Sequence, residues 1–289
     1  MSWFYLALTC AFTLALADAY TKKYFHDCSG VYILLVRLSL PGILLLPFSV
    51  YFGIPDVPNE FWYLLFILVL LEITAMWLYV LSIRDAPLHL TLPYMAFTPV
   101  FNIVTGYFAL GEVISIQGGL GIILIVMGAY LLNLDQITKS GINLFAPLAA
   151  IFKLKGSRFM LIAAGIYSLT SVYSKRAMQY VPPEEFGALY FSIIGITLLL
   201  IVLLTQPVTL RHFAKRPKAN LIVGSFMALM VFTHFMAISQ VEVAYMIAVK
   251  RTSMIFGMLL GAWMFKDMIL RQHLSAGLIM LAGVFLILI

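Results

Sequence analysis

The chain has 289 residues, of which 63% are hydrophobic and only 10% charged, and its formal net charge is +6. A water-soluble domain of this size is excluded, because its surface needs many more charges to stay in solution. No nucleic-acid-binding motif accompanies the positive balance, which therefore reads as membrane topology and not as a nucleic-acid partner.

Taken in chain order, apolar segments fall at 3–21, 31–53, 61–82, 86–110, 114–133, 159–180, 186–206, 220–240, 241–265 and 271–289. Each runs for roughly 20 residues, enough for a helix to cross a hydrocarbon core of about 30 Å. The runs lack the period-2 alternation of a lipid-facing barrel, so helices are the expected spanning structure. The expected fold is all-α and integral to the membrane, with ten transmembrane helices in two sets of five. The sets occupy residues 1–134 and 158–289, joined by a connector over 135–157. An odd-numbered set duplicated in tandem enters the bilayer in opposite orientations, which is the inverted-repeat plan of a secondary transporter. The connector holds a short apolar run at 144–152, too short to cross and expected to lie along the interface.

The first segment has no basic residue before it, and Lys22-Lys23 comes after it, so a cleavable signal peptide is not expected. Cys10 and Cys28 show no C-x-x-C spacing and argue for neither a metal site nor a disulfide framework. No His pairs with Cys or a carboxylate at metal-ligand spacing, so neither metal nor cofactor is expected. Of the 18 Lys and Arg, Arg37, Lys250 and Arg251 fall inside segments. Thirteen of the rest lie in the connectors after the odd-numbered segments, and only Lys175 and Arg176 on the opposite side. Basic loops stay cytoplasmic, which predicts both termini outside a prokaryotic cytoplasmic membrane.

Several polar groups stand out against this apolar background. Arg37 lies about seven residues into the second segment, where it can snorkel or brace an interface. Asp18, near the end of the first segment, is expected to partner the Lys22-Lys23 region. Glu72 sits midway along the third segment, with Ala75, Met76 and Tyr79 on its face at helical spacing. Glu72 reads either as a coupling group that pairs with a cation until substrate displaces it, or as a permanent salt bridge. The fourth segment contains Pro87, Pro93 and Pro99, which remove backbone donors and predict a bent helix beside a wet cavity. Tyr94 and Asn102 are candidates to line that cavity. His89 is near a helix start and reads as an interface residue; His234 is deeper and reads as cavity-facing or packed.

Lys250 and Arg251 sit about ten residues into the ninth segment. A cation at a helix centre costs about 2.5–3.5 kcal/mol on insertion scales. Two together point to an anion site, with lysine as a point charge and arginine as a planar fork for carboxylate or phosphate. The competing reading is an ion pair that locks the ninth helix to a neighbour. Glu112 and Asp267 begin the turns into the fifth and tenth segments and read as structural charges that cap free N–H groups. The glycines at 118, 119, 121, 257 and 261 read as packing positions.

The two halves echo each other. Tyr20-Thr21-Lys22-Lys23 is matched by Tyr173-Ser174-Lys175-Arg176. Gly106, Glu112, Gln117 and Gly128 recur as Gly261, Asp267, Gln272 and Gly283, all offset by 155. With Arg37 in Val36-Arg37-Leu38-Ser39-Leu40, Thr98-Pro99 through Gly111-Glu112, and Lys250-Arg251-Thr252-Ser253 through Lys266-Asp267, these residues resemble the drug/metabolite transporter superfamily, EamA-type ten-helix members. The resemblance implies two inverted five-helix repeats around a central cavity, lined mainly by the first, third, fourth, sixth, eighth and ninth helices. It implies peripheral fifth and tenth helices available for a homodimer contact. The Lys250-Arg251 pair also resembles the one that plastid sugar-phosphate translocators of this superfamily place in their ninth helix to grip phosphate, although the flanking residues differ. Connector 51–60 departs from many such proteins in carrying no basic residue.

The function expected from these readings is secondary active transport of a small organic metabolite, anionic or zwitterionic, by alternating access with proton coupling or exchange. Lys250, Arg251, Tyr94, Asn102, His234 and Tyr79 are the candidate substrate residues, and Glu72 is the coupling group. Arg37, Glu112 and Asp267 are structural charges. The alternatives are a proton-driven exporter of amino acids or apolar compounds, and a non-transporting scaffold. An enzyme is not expected, because no nucleophile–base pair is evident. The partners expected are the small-molecule substrate and the lipid bilayer.

Overall fold

The computed structural model describes residues 2–85, 92–138, 153–213, 215–265 and 270–289, and every regular element among them is helical. Helix α1 is Ser2–Phe25, ending on Lys22 and Lys23, whose charges suit the negative end of a helix. Helix α2 spans Gly30–Phe52. It starts at Ser29, whose side chain accepts the Tyr32 N–H, and it carries a π-helical stretch at Leu35–Ser39. Helix α3 is Asn59–Asp85. A 3₁₀ turn at Leu92–Phe97 leads into α4, Thr98–Leu110, which stops at Gly111 with φ 70°, a left-handed conformation that favours glycine. Helix α5 is Ile116–Thr138.

The second half runs through α6 (Lys155–Ala177), α7 (Pro183–Thr205), the short α8 (Pro207–Phe213) and α9 (Pro217–Ile238). Helices α10 (Val243–Lys250) and α11 (Ser253–Phe265) are one segment broken at Arg251-Thr252, and α12 is Leu270–Leu288. Proline opens α7, α8 and α9, where its missing N–H costs nothing.

Among the described residues, six helical stretches are long and apolar enough to cross a membrane: 2–25, 30–52, 59–82, 183–205, 217–238 and 243–264. Stretches within α4, α5 and α12 are apolar but shorter. Helix α6 is absent from both groups because its sequence is too polar; five of its hydroxyl residues, Ser157, Ser168, Thr170, Ser171 and Ser174, are buried. Its polar seam faces protein, so its sequence need not be as greasy as a lipid-facing helix.

The principal packing partners are α5 with α12, α1 with α9, α3 with α6, α2 with α7, α4 with α6 and α10, and α1 with α11. Exchanging the first five helices for their counterparts maps this set onto itself. The α1–α9 contact becomes α6–α3, and α4–α6 becomes α11–α1. Where α2 crosses α7, a Cβ on Gly42 would lie 2.9 Å from the Gly195 Cα, and one on Gly195 would lie 2.9 Å from the Ser39 carbonyl oxygen. Only glycine permits that approach.

Candidate functional site

The break between α10 and α11 defines the centre of the site. Lys250 ends one helix, Ser253 starts the next, and the Thr252 hydroxyl donates to the Val249 carbonyl at 2.7 Å. The Val249 carbonyl thus accepts both the Thr252 N–H, at 2.9 Å, and its hydroxyl, which keeps the interrupted backbone hydrogen-bonded where water is scarce. The side chains of Lys250 and Arg251 are partly accessible and near polar groups from four other helices, α1, α3, α6 and α9.

Lys250 Nζ lies 3.4 Å from His234 Nδ1 on α9. The Glu72 carboxylate on α3 is close enough for its charge to act on Lys250. Thr170 on α6 and Tyr190 on α7 present hydroxyls to Glu72, the latter at 3.5 Å, while the Tyr190 hydroxyl also donates to the Leu68 carbonyl at 3.0 Å. Cys10 on α1, fully buried, hydrogen-bonds Thr233 within the field of Lys250. Arg251 points a different way. Its guanidinium shares its surroundings with Tyr79 and Tyr167, and its buried Nε has no hydrogen-bond partner. The same two tyrosines flank Arg37, whose Nη1 makes a 2.5 Å ion pair with Asp18.

Lys250, Arg251, Glu72, Tyr79 and His234 are thus brought together. Arg37 joins them from α2, bracing α1 through Asp18. The expectation that Asp18 pairs with the Lys22-Lys23 region is corrected: the long Arg37 side chain, only 17% exposed, reaches across to a carboxylate that is 53% exposed. Tyr94 lies elsewhere, fully buried and hydrogen-bonded to Ser157 at the start of α6. Asn102 is also fully buried, and both its amide atoms lack a partner. His89, Asp267, Pro87 and the 144–152 run lie outside the described residues. Asp18 and Cys10 were noted from sequence without being assigned to this cluster, and Tyr167, Thr170 and Tyr190 were not singled out there. The signal for two of them was available in the run of hydroxyl residues along α6.

Among the described residues, no group of three His, Cys, Asp or Glu is arranged to hold a metal. What the cluster offers chemically is a cation, Arg251, with spare donor capacity. It stands beside two further cations: Arg37, paired with Asp18, and Lys250, which lies 3.4 Å from His234 Nδ1 and within the field of Glu72. A guanidinium with an unpartnered N–H is chemically suited to charge-assisted hydrogen bonds with a carboxylate or phosphate.

One end of the bundle is laced shut. Lys175 Nζ at the end of α6 donates to Glu112 Oε1 and to the Val241 carbonyl, both at 2.6 Å. Glu112 Oε2 accepts the N–H of Val243, the first residue of α10, at 2.9 Å. Glu112 was expected to cap the turn into α5. The left-handed turn at Gly111 sends it back instead, so it caps α10 of the other half. The Gly106 backbone leaves room, since a Cβ there would lie 2.9 Å from Glu112 Oε2. Ser2 to Gln240 at 2.5 Å and Ser115 with Tyr245 at 3.2 Å tie the same end. At the other end, Arg216 pairs with Asp27 at 2.6 Å and holds its carboxyl well below the usual carboxylate range.

A bundle with six membrane-length apolar helices and a buried polar centre defines an integral, multi-pass membrane protein. The profile of the EamA-like transporter family matches residues 1–134 and again 154–289, and the chain belongs to that family, within the drug/metabolite transporter superfamily. No curated protein matches the chain in sequence. Its fold is similar to that of a protein known from its crystal structure, with a TM-score of 0.75 over 99% of this chain and 96% of that one, at 13% identity.

Proposed function

We propose that the protein is a secondary transporter of a small organic anion or zwitterion, working by alternating access between two inverted five-helix repeats. The observation that carries this reading is Arg251: a partly accessible guanidinium at a helix break, with a buried Nε left without a partner. The substrate carboxylate or phosphate takes that fork, between Tyr79 and Tyr167. Lys250, His234 and Glu72 form the coupling group beside it. Substrate drawing on Lys250 releases Glu72, which then takes a proton or a counter-substrate charge. A ligand drives a conformational change only if it binds the two states differently, and competition for Lys250 supplies that difference.

The packing pairs that exchange between halves support the inverted arrangement. Closure at the Glu112–Lys175 end, with Asp18 half-exposed on the far side of the cluster, is the pattern of a state with access from one side. By the distribution of basic loops, that access is cytoplasmic.

Purified protein in proteoliposomes tests the reading. Saturable uptake or counterflow of carboxylated or phosphorylated metabolites is expected, and Arg251→Ala is expected to abolish it without loss of folded protein. A protein that moves none of these, or an Arg251→Ala variant that transports unchanged, overturns it.

A further inference from the structure

Away from the central cluster, the last turn of α1 and the first turn of α9 enclose an open hollow of about 670 Å³. Lys23, His26, Lys215, Arg216 and Lys218 line it, with Asp27 as its one carboxylate. That carboxylate is already engaged. Arg216 donates to both Asp27 oxygens, at 2.9 and 2.6 Å, and to the Tyr24 carbonyl at 2.6 Å. The Asp27–Arg216 pair therefore closes the floor, and neither partner competes for the three lysines. Among the described residues, no carboxylate pairs with Lys23, Lys215 or Lys218.

The position of the hollow selects its occupant. Both α1 and α9 are of membrane-spanning length, so the junction between the end of one and the start of the other lies at headgroup level. Beneath it, Tyr24 stacks on Tyr20 at 5.7 Å and Tyr20 stacks on Phe226 at 5.7 Å, forming a column of partly buried rings that descends along the α1–α9 groove. Lys23 Nζ sits 5.5 Å from the Tyr24 ring centre, so its charge is held over the column. Basic groups above amphipathic rings match a phosphodiester above a glycerol backbone. A soluble phosphate would use the lysines alone and leave the rings idle.

We infer that this hollow seats the headgroup of an anionic phospholipid, with Lys215, Lys218 and Lys23 on the phosphodiester and the Tyr24–Tyr20–Phe226 column against its glycerol end. The lipid then bridges α1 of the first repeat to α9 of the second, the contact that an alternating-access movement must either keep or release.

The test is thermal unfolding and native mass spectrometry of the purified full-length protein with phosphatidylglycerol or phosphatidylcholine, for wild type and for Lys215→Gln/Lys218→Gln. Phosphatidylglycerol is expected to raise the melting temperature and to stay bound in the spectra, and the double variant to weaken its binding by about tenfold or more. The variant's melting temperature in phosphatidylcholine, expected to equal that of wild type, controls for folding. If the double variant folds poorly, Lys218→Gln alone reads the same loss. Equal stabilisation by phosphatidylcholine, or undiminished phosphatidylglycerol binding by the variant, overturns the inference. So does full displacement of the lipid by inorganic phosphate, which would mark a site for soluble phosphate.

Discussion

Two interrupted helices occupy corresponding places in the two halves and carry different chemistry. In the first half, the 3₁₀ turn gives way to α4 at Thr98; in the second, α11 begins at Ser253, and these positions differ by the same 155 residues that separate the repeated motifs. Both breaks are patched alike, with Thr98 donating to the Met95 carbonyl at 2.8 Å and Thr252 to the Val249 carbonyl at 2.7 Å. Yet the positions matching Lys250 and Arg251 are Met95 and Ala96. Duplication preserved the backbone interruption and left the cations to one half. The backbone break is common to both halves, and under the proposed function the cations of the second half are what meets the substrate.

The largest effects are expected where the asymmetry lies. Arg251→Ala should lower transport at least about tenfold, equivalent to about 1.4 kcal/mol of lost interaction. Arg251→Lys should restore only part of it, because an ammonium lacks the planar fork. Uptake assays at matched protein levels check both. Transferring the charge, as Ala96→Arg on an Arg251→Ala background, should not rescue transport; rescue would show that the halves are interchangeable. Glu72→Gln should uncouple the carrier, leaving counterflow intact while abolishing the response of net transport to an imposed proton gradient. An unchanged response would remove Glu72 from the coupling role.

The symmetric regions should respond symmetrically and less severely. Gly42→Ala and Gly195→Ala each drive a methyl into the facing backbone, which cannot give way as a flexible side chain can. Both should destabilise by about 1–3 kcal/mol, the cost of overpacking, as read by thermal unfolding. A large difference between the two would weaken the pseudo-symmetry. Glu112→Gln removes the ionic partner of Lys175 and should cost about 1–3 kcal/mol, less what water recovers, since the side chains are only 10% and 21% exposed. It should also make the sealed end more reactive to a thiol probe at a cysteine introduced at Gln240.

The smallest effect concerns pH. Asp27 has a folded-state pKa below its unfolded one, so the stability it contributes is present above the ordinary carboxylate pKa and is lost as pH falls below it. Asp27→Asn should flatten that acid-side dependence slightly, a small change because both partners are exposed.

The legibility of the site followed the cost of each residue. Lys250, Arg251 and Glu72 stood out because a charge in an apolar run is too costly to be accidental. Arg37 and Asp18 were harder to place. Each lies near a span end, where a charge is cheap, and only the fold shows that one side chain reaches the other. Glu112 was recognisable as part of a repeated motif, but its partners Lys175 and Val243 are 63 and 131 residues away. No local pattern encodes such contacts. Tyr94 was hard to place for a related reason: a tyrosine beside prolines suggests a wet cavity, whereas the fold buries its side chain with the hydroxyl on Ser157. The helix positions were legible from hydropathy alone, except that α6 is more polar than its segment suggested, because its neighbours supply what lipid cannot.

The wide turn at Leu35–Ser39 has a consequence for engineering. A π turn holds an additional amino acid relative to regular α geometry. Excising one residue there would restore the ordinary α pitch and leave the turns on either side close to their present register, because the extra residue is what the wide turn absorbs. Arg37 sits within that turn, so the deletion would re-aim its side chain and test its hold on Asp18 while leaving the rest of the second helix in place.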